Sequence, residues 1–188
     1  IIVFMSDNGA STEKNEIRVE NHSSGLPKGH KYGANGGGGN SGKWRGHKGT
    51  YFEGGVRVPA IVSYPNGLPK GEVRDQAITA MDWFPTMLEL CGLESPEVKL
   101  DGASLLPLIE DTSQKSHNDS FHWGWHKKWA VRQGDWKLIG NADKPQVLAN
   151  LAEEEPEKTN FLKTKPEIVE QLHALHVDWS KEVSHESN

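Results

Sequence analysis

"IIVFMSDNGA", residues 1–10, sets five apolar residues directly before Ser6, Asp7, Asn8 and Gly9. A continuous apolar run rich in β-branched residues is the pattern of a strand covered on both faces in a parallel or mixed sheet. Such a strand needs neighbouring strands and covering helices, so the expected fold class is α/β. In open α/β sheets ligands gather at the carboxyl ends of strands, where loops vary while the sheet holds them in place. The Asp7 carboxylate and the Asn8 carbonyl are oxygen donors of the kind that calcium or magnesium accepts. Asp-Asn-Gly is equally an ordinary turn sequence. The tripeptide alone leaves turn and metal site both open.

Outward from this strand, residues 10–43 are polar and rich in glycine, ending in "GANGGGGNSGK" at residues 33–43, and read as one long loop. A loop of that length inside a domain is functional or disordered. "RVPAIVSYP", residues 57–65, predicts a second buried strand at residues 60–64, limited by its flanking prolines. Asp82 is placed to cap a helix over residues 83–91, with Pro85 in its first turn and Gly92 ending it. Phe84, Leu88 and Cys91 would share one face. "DGASLLPLI", residues 101–109, predicts a turn at Asp101-Gly102 and a short helical turn that Ser104 could cap.

A composition shift at "EDTSQKSHND", residues 110–119, marks the expected end of the main layer, giving domains at residues 1–115 and 116–188. Beyond it, "WAVRQGDWKLI" alternates so that Trp129 and Val131 face the same side as Trp136 and Leu138. Gln133-Gly134-Asp135 forms the bend of this hairpin. In "KPEIVEQLHALHVDW", Pro166 starts a helix whose Ile168, Leu172, Leu175 and Trp179 form an apolar stripe. A small antiparallel sheet covered by a terminal helix is expected.

The 188 residues suffice for one domain, or a core piece with a small satellite. Lys and Arg number 21 against 26 Asp and Glu, so no basic field points to nucleic acid. No run approaches the roughly 18 apolar residues of a membrane span, and no basic-then-apolar leader precedes the first strand. The sequence opens without an initiator Met, inside an apolar strand, as expected for the C-terminal part of something longer. Cys91 is the single cysteine and lies in the apolar run "MLELCG", where a buried thiol is expected.

"GKWRGHKGTYFEGGVRVP", residues 42–59, sets Lys48 between Gly46-His47 and Gly49. Backbone there can approach a ligand closely, and an ammonium is a compact charge suited to an oxyanion. A solvated surface lysine is the plainer alternative. Glu53-Gly54-Gly55 and Arg57 read as a structural turn with an ion pair. "FHWGWHKKW", residues 121–129, gathers His122, Trp123, Trp125, His126 and Trp129, either as a rim for stacking sugars or as the core of the small subdomain.

In series, "VFMSDNG", "RGHKGTYFEGGVRVPAIVSYP", "MDWFPTMLELCGL", "DGASLLPLI" and "RQGDWKLI" resemble the C-terminal half of a type I, formylglycine-dependent sulfatase of the alkaline-phosphatase superfamily. The resemblance runs over almost the whole chain. It implies an alkaline-phosphatase-like mixed-sheet sandwich followed by the small antiparallel subdomain. It implies that Asp7 and Asn8 are the second pair of calcium ligands and that Lys48 contacts the substrate's sulfate as a catalytic residue. The nucleophile, a formylglycine in a Cys/Ser-x-Pro/Ala-x-Arg motif, has no match here and is expected upstream. Cys91 precedes Gly92-Leu93-Glu94 and is not that residue. The remaining metal ligands are likewise expected upstream. The implied substrates are sulfated carbohydrates or aryl sulfates, in a secreted, periplasmic or lysosomal setting, with no nucleic-acid or membrane partner and no indication of oligomeric state. The same resemblance leaves a phosphoester hydrolase of that superfamily, or a catalytically inert segment, as alternatives. "NLAEEEPEKTN", residues 150–160, departs from the family's Asp-Leu before "DP.E..N", in what is expected to be a surface turn.

Overall fold

Alternating apolar and polar residues on either side of Gly134 build the largest sheet of the chain. In the computed structural model, residues 1–11, 16–18, 31–33 and 40–185 are described, with 16–18, 31–33 and 185 as backbone alone. Strands β5 (Phe121–Trp125), β6 (Lys128–Gln133), β7 (Trp136–Asn141) and β8 (Lys144–Asn150) form a four-stranded antiparallel sheet in sequential order. The β6–β7 register pairs Gln133 with Trp136 and Val131 with Leu138. The turn is therefore Gly134-Asp135, and Gly134 takes the left-handed φ of 57° that a tight hairpin requires. Helix α4 (Pro166–His185) packs against β6, β7 and β8. Trp129, Val131, Leu138, Leu148 and Leu172 make the core, with Trp136, Ile168 and Leu175 against it. The predicted hairpin and helical stripe are both present. Strands β5 and β8 join them, although "FHWGW" and the proline-containing "KPQVLAN" carry no clean alternation.

Gly140 shows how closely this sheet is fitted. A Cβ there would lie 2.1 Å from the Trp129 ring. The indole lies across the glycine while its Nε1–H donates to the Ala142 carbonyl at 2.6 Å.

The chain forms two compact units, one of Ile1–Phe4 with Ala60–Asp119 and the other of Met5–Pro59 with Ser120–Asn188. The first holds β4 (Ala60–Ser63), paired with β1 (Ile2–Met5), and helices α2 (Trp83–Leu90) and α3 (Leu106–Glu110). Both strands lie where the sequence puts them, but their burial differs from expectation. Ile2, Phe4 and Ile61 are 69%, 70% and 61% exposed, so the covering on both faces that their composition calls for is not supplied among the described residues. Cys91 is exposed as well, not a buried thiol, because it follows the last turn of α2 and Gly92 reverses the chain at φ 65°.

Asp82 occupies the N-cap position of α2 without capping it. Its buried carboxylate instead accepts the Thr79 N–H at 2.6 Å and the Ala103 N–H at 3.2 Å, and lies 2.8 Å from His117 Nε2. Asp82 thus ties three segments of this unit together. The Ser104 hydroxyl does accept the Leu106 N–H at the start of α3.

The second unit also includes β2 (Glu16–Arg18) and β3 (Lys31–Gly33), an antiparallel pair of three-residue strands, and the short helix α1 (Glu53–Val56). The expected single long loop is therefore interrupted by a small ladder. Residues 34–39 of its glycine run lie outside the described residues.

Candidate functional site

The Asp7-Asn8-Gly9 turn and the Lys48 loop lie against one another in the second unit. The Ser6 hydroxyl donates to the Asn8 carbonyl at 2.8 Å, closing the turn. Gly9 N–H donates to the Gly55 carbonyl at 3.0 Å, and Lys48 N–H donates to the Ala10 carbonyl at 2.9 Å. A Cβ on Gly9 would sit 1.9 Å from the Gly54 carbonyl oxygen, so only glycine allows the turn to press on α1 this closely. Asp7 and Lys48 are exposed and Asn8 is half-buried. The backbone thus brings the turn and the lysine loop together. The donor set of one carboxylate and one amide oxygen suits a hard cation. Among the described residues no group of three His, Cys, Asp or Glu could hold a metal, so further ligands would have to come from elsewhere.

Lys48 sits at the tip of a loop that is braced within itself. Gly46 and Gly49 both take φ 85°, the left-handed region that disfavours side chains. Thr50 N–H and Oγ1–H both donate to the His47 carbonyl, at 3.0 and 2.7 Å. Gly54 N–H donates to the Arg45 carbonyl at 2.7 Å, which closes the base of the loop. The Arg45 guanidinium stacks on Phe52 and that of Arg57 on Trp44, each 4.1 Å from the ring centre.

Under this loop lies a group of buried charges that sequence inspection missed. Glu53, Lys137 and Glu157 have 1%, 0% and 0% of their surface exposed. Lys137 Nζ is 2.7 Å from Glu53 Oε1 and 3.7 Å from Glu157 Oε1. Arg132 and Arg57 approach Glu53 Oε2 at 3.4 and 3.5 Å. Both Glu157 carboxylate oxygens accept the Glu53 N–H, at 3.0 and 2.9 Å, and the Glu157 carbonyl accepts from Arg45 Nη1 at 2.9 Å. Burial pushes the Lys137 ammonium down and the Glu157 carboxyl up, each toward its neutral form, against their mutual attraction. Glu157 also takes φ 63°, a left-handed backbone that disfavours a residue with a Cβ by about 1–2 kcal/mol. The turn at residues 150–160 is therefore not simply a surface turn, since Leu151, Pro156 and Glu157 are buried. The expected Glu53–Arg57 pair is present, but as one edge of a larger cluster. No local pattern announces it, because Glu53 and Glu157 are 104 residues apart.

The aromatic stretch of β5 and β6 divides between core and surface. Trp129 is buried and stacks on His176 at 4.1 Å, and His122 stacks on Trp179 at 5.0 Å. Trp125 is 67% exposed and His126 is exposed beside it. Burial, and then the neighbouring His176, push His122 down to about 4.

Comparison with known proteins adds an independent line. Residues 42–182 match the family described as N-sulphoglucosamine sulphohydrolase, C-terminal. Human steryl-sulfatase is 36% identical over 125 residues, covering 65% of this chain and 19% of the relative. Bovine arylsulfatase A is 36% identical over 105 residues, covering 53% of this chain and 20% of the relative. Among solved structures, Ps i-CgsB in complex with k-i-k-neocarrahexaose is 25% identical with a TM-score of 0.69, covering 95% of this chain and 36% of that one. The chain spans about a fifth of the length of the curated relatives it matches.

Proposed function

Because this chain belongs to the sulfatase family matched above as N-sulphoglucosamine sulphohydrolase, C-terminal, we propose that it is the C-terminal segment of an enzyme that hydrolyses sulfate esters to an alcohol and inorganic sulfate. Lys48 is assigned to the substrate's sulfate, and Asp7 and Asn8 to two of the oxygen ligands of a calcium ion. When bound, that ion neutralises charge on the sulfate oxygens. The lysine ammonium adds a second positive charge and holds the anion in one orientation. The formylglycine nucleophile is assigned to sequence outside these 188 residues, where no Cys/Ser-x-Pro/Ala-x-Arg motif occurs.

Residues 1–115 are assigned to the end of the catalytic α/β domain and residues 116–188 to a small C-terminal subdomain. The substrate class is a sulfated carbohydrate or an aryl sulfate, in keeping with relatives named for steryl and aryl sulfates and a structural neighbour solved with neocarrahexaose. The setting is secreted, periplasmic or lysosomal. No described helix is long and apolar enough to cross a membrane.

The observation that carries this reading is the pairing of Lys48 N–H with the Ala10 carbonyl, which joins the lysine loop to the Asp7-Asn8 turn. The test is Lys48→Ala in the complete protein, assayed on a chromogenic aryl sulfate with the aryl phosphate as control. Loss of one positioned cation is expected to lower kcat/KM by about 10²–10³, with the melting temperature unchanged because Lys48 is exposed. Full activity in the variant, or faster cleavage of the phosphate by the parent, would overturn the assignment.

A further inference from the structure

We propose that Glu157 is a positioning residue for the candidate site, clamping both ends of the loop that presents Lys48; this rests on the assignment of Lys48 to the sulfate. The loop leaves Arg45 and returns at Glu53, and Glu157 holds both. Its carbonyl takes the Arg45 guanidinium at 2.9 Å, and its two carboxylate oxygens take the Glu53 N–H at 3.0 and 2.9 Å. The same anchored segment continues into Gly55, whose carbonyl receives Gly9 N–H, while Lys48 N–H reaches Ala10. The buried Glu157 side chain therefore fixes the Glu53 end of the loop and, through two short backbone steps, the Asp7-Asn8 turn, while its backbone carbonyl holds the Arg45 side chain.

The backbone at Glu157 argues that its side chain is the reason for its presence. A glycine would adopt φ 63° without strain, yet a glutamate is held there with none of its surface exposed. Lys137, also fully buried, brings its ammonium within 3.7 Å of the Glu157 carboxylate. If Glu157 merely shaped its own turn, glycine would leave the Gly9 and Lys48 amides no less protected than the rest of the unit. If it positions the site, glycine relieves the turn and releases the Glu53 end of the loop, with the carbonyl that holds Arg45 kept.

Hydrogen exchange on the complete protein separates the two, read on peptides covering residues 5–11 and 44–53, with residues 168–178 of α4 as reference. In Glu157→Gly the Gly9, Lys48 and Glu53 amides should exchange about tenfold faster or more, well beyond any change in the α4 reference. Glu157→Gln, which retains an acceptor for the Glu53 N–H, should recover part of the protection. Parental exchange at Gly9 and Lys48 in Glu157→Gly would overturn the proposal. Equal acceleration in the α4 reference would overturn it too, since that is general loosening. Should Glu157→Gly not fold, the same comparison is made between Glu157→Gln and the parent, with an intermediate loss at Gly9 and Lys48 expected and none overturning the idea. Exchange reads loop anchoring without reference to catalysis, and Lys48→Ala activity reads the assignment of the sulfate, so the two can fail separately.

Discussion

Lys137 is the residue on which the buried charges balance. It stands on β7 with its ammonium fully buried between Glu53 and Glu157. Burying an ion pair gains little over an apolar isostere, but removing one partner leaves charge without compensation. Lys137→Met should therefore destabilise the protein by about 3–5 kcal/mol. Urea denaturation checks this, and adding Glu53→Gln to the same variant should recover part of the loss. A cost below about 1 kcal/mol for the single variant would mean that the cluster does not depend on the Lys137 charge. None of this was legible beforehand. Asp7, Asn8 and Lys48 stood out because their residue types carry chemistry in a short window. Lys137 sits in "DWKLI", where alternation makes it look like one more solvent-facing lysine of a hairpin.

At the level of elements, the sheet and α4 meet through histidines as much as through aliphatic side chains. His122 on β5 faces Trp179 and His176 of α4, and its Nδ1 is buried without a hydrogen-bond partner, as is that of His176. Burial lowers both, His122 to about 4 from an ordinary 6.5. Between those values the unfolded chain binds more protons at His122 than the folded chain does, so stability rises with pH. Acidification from 6.5 toward 4 should thus lower the melting temperature progressively. In His122→Phe the slope over that interval should flatten, as read by calorimetry across a pH series. An unchanged slope would assign the acid sensitivity elsewhere. The elements themselves were largely readable. The β6–β7 hairpin and the α4 stripe follow from periods of 2 and 3.6 residues, whereas β5 and β8 were hidden because Gly124 and Pro145 interrupt the pattern their neighbours impose.

For the whole molecule, the exposed Ile2, Phe4 and Ile61 show where local pattern and tertiary environment part. The pattern specifies a strand that wants two covers, and the described residues of this chain do not provide them. The same incompleteness applies to the chemistry. Asp7 and Asn8 supply two ligating side chains, whereas calcium takes about six to eight oxygens. Residues 1–188 prepared by themselves should therefore show no turnover of a chromogenic aryl sulfate and calcium binding weaker than micromolar in titration calorimetry. Calcium-dependent turnover by this segment would place the nucleophile within it, against the assignment made above.

The clamp at Glu157 also imposes an order on biosynthesis. Glu53 leaves the ribosome 104 residues before its partner. At about 5–20 residues per second, the lysine loop exists for roughly 5–20 s as a nascent segment with its anchor not yet made. A message truncated anywhere in that interval would yield a chain carrying every residue assigned to the site and lacking the one that holds them in place.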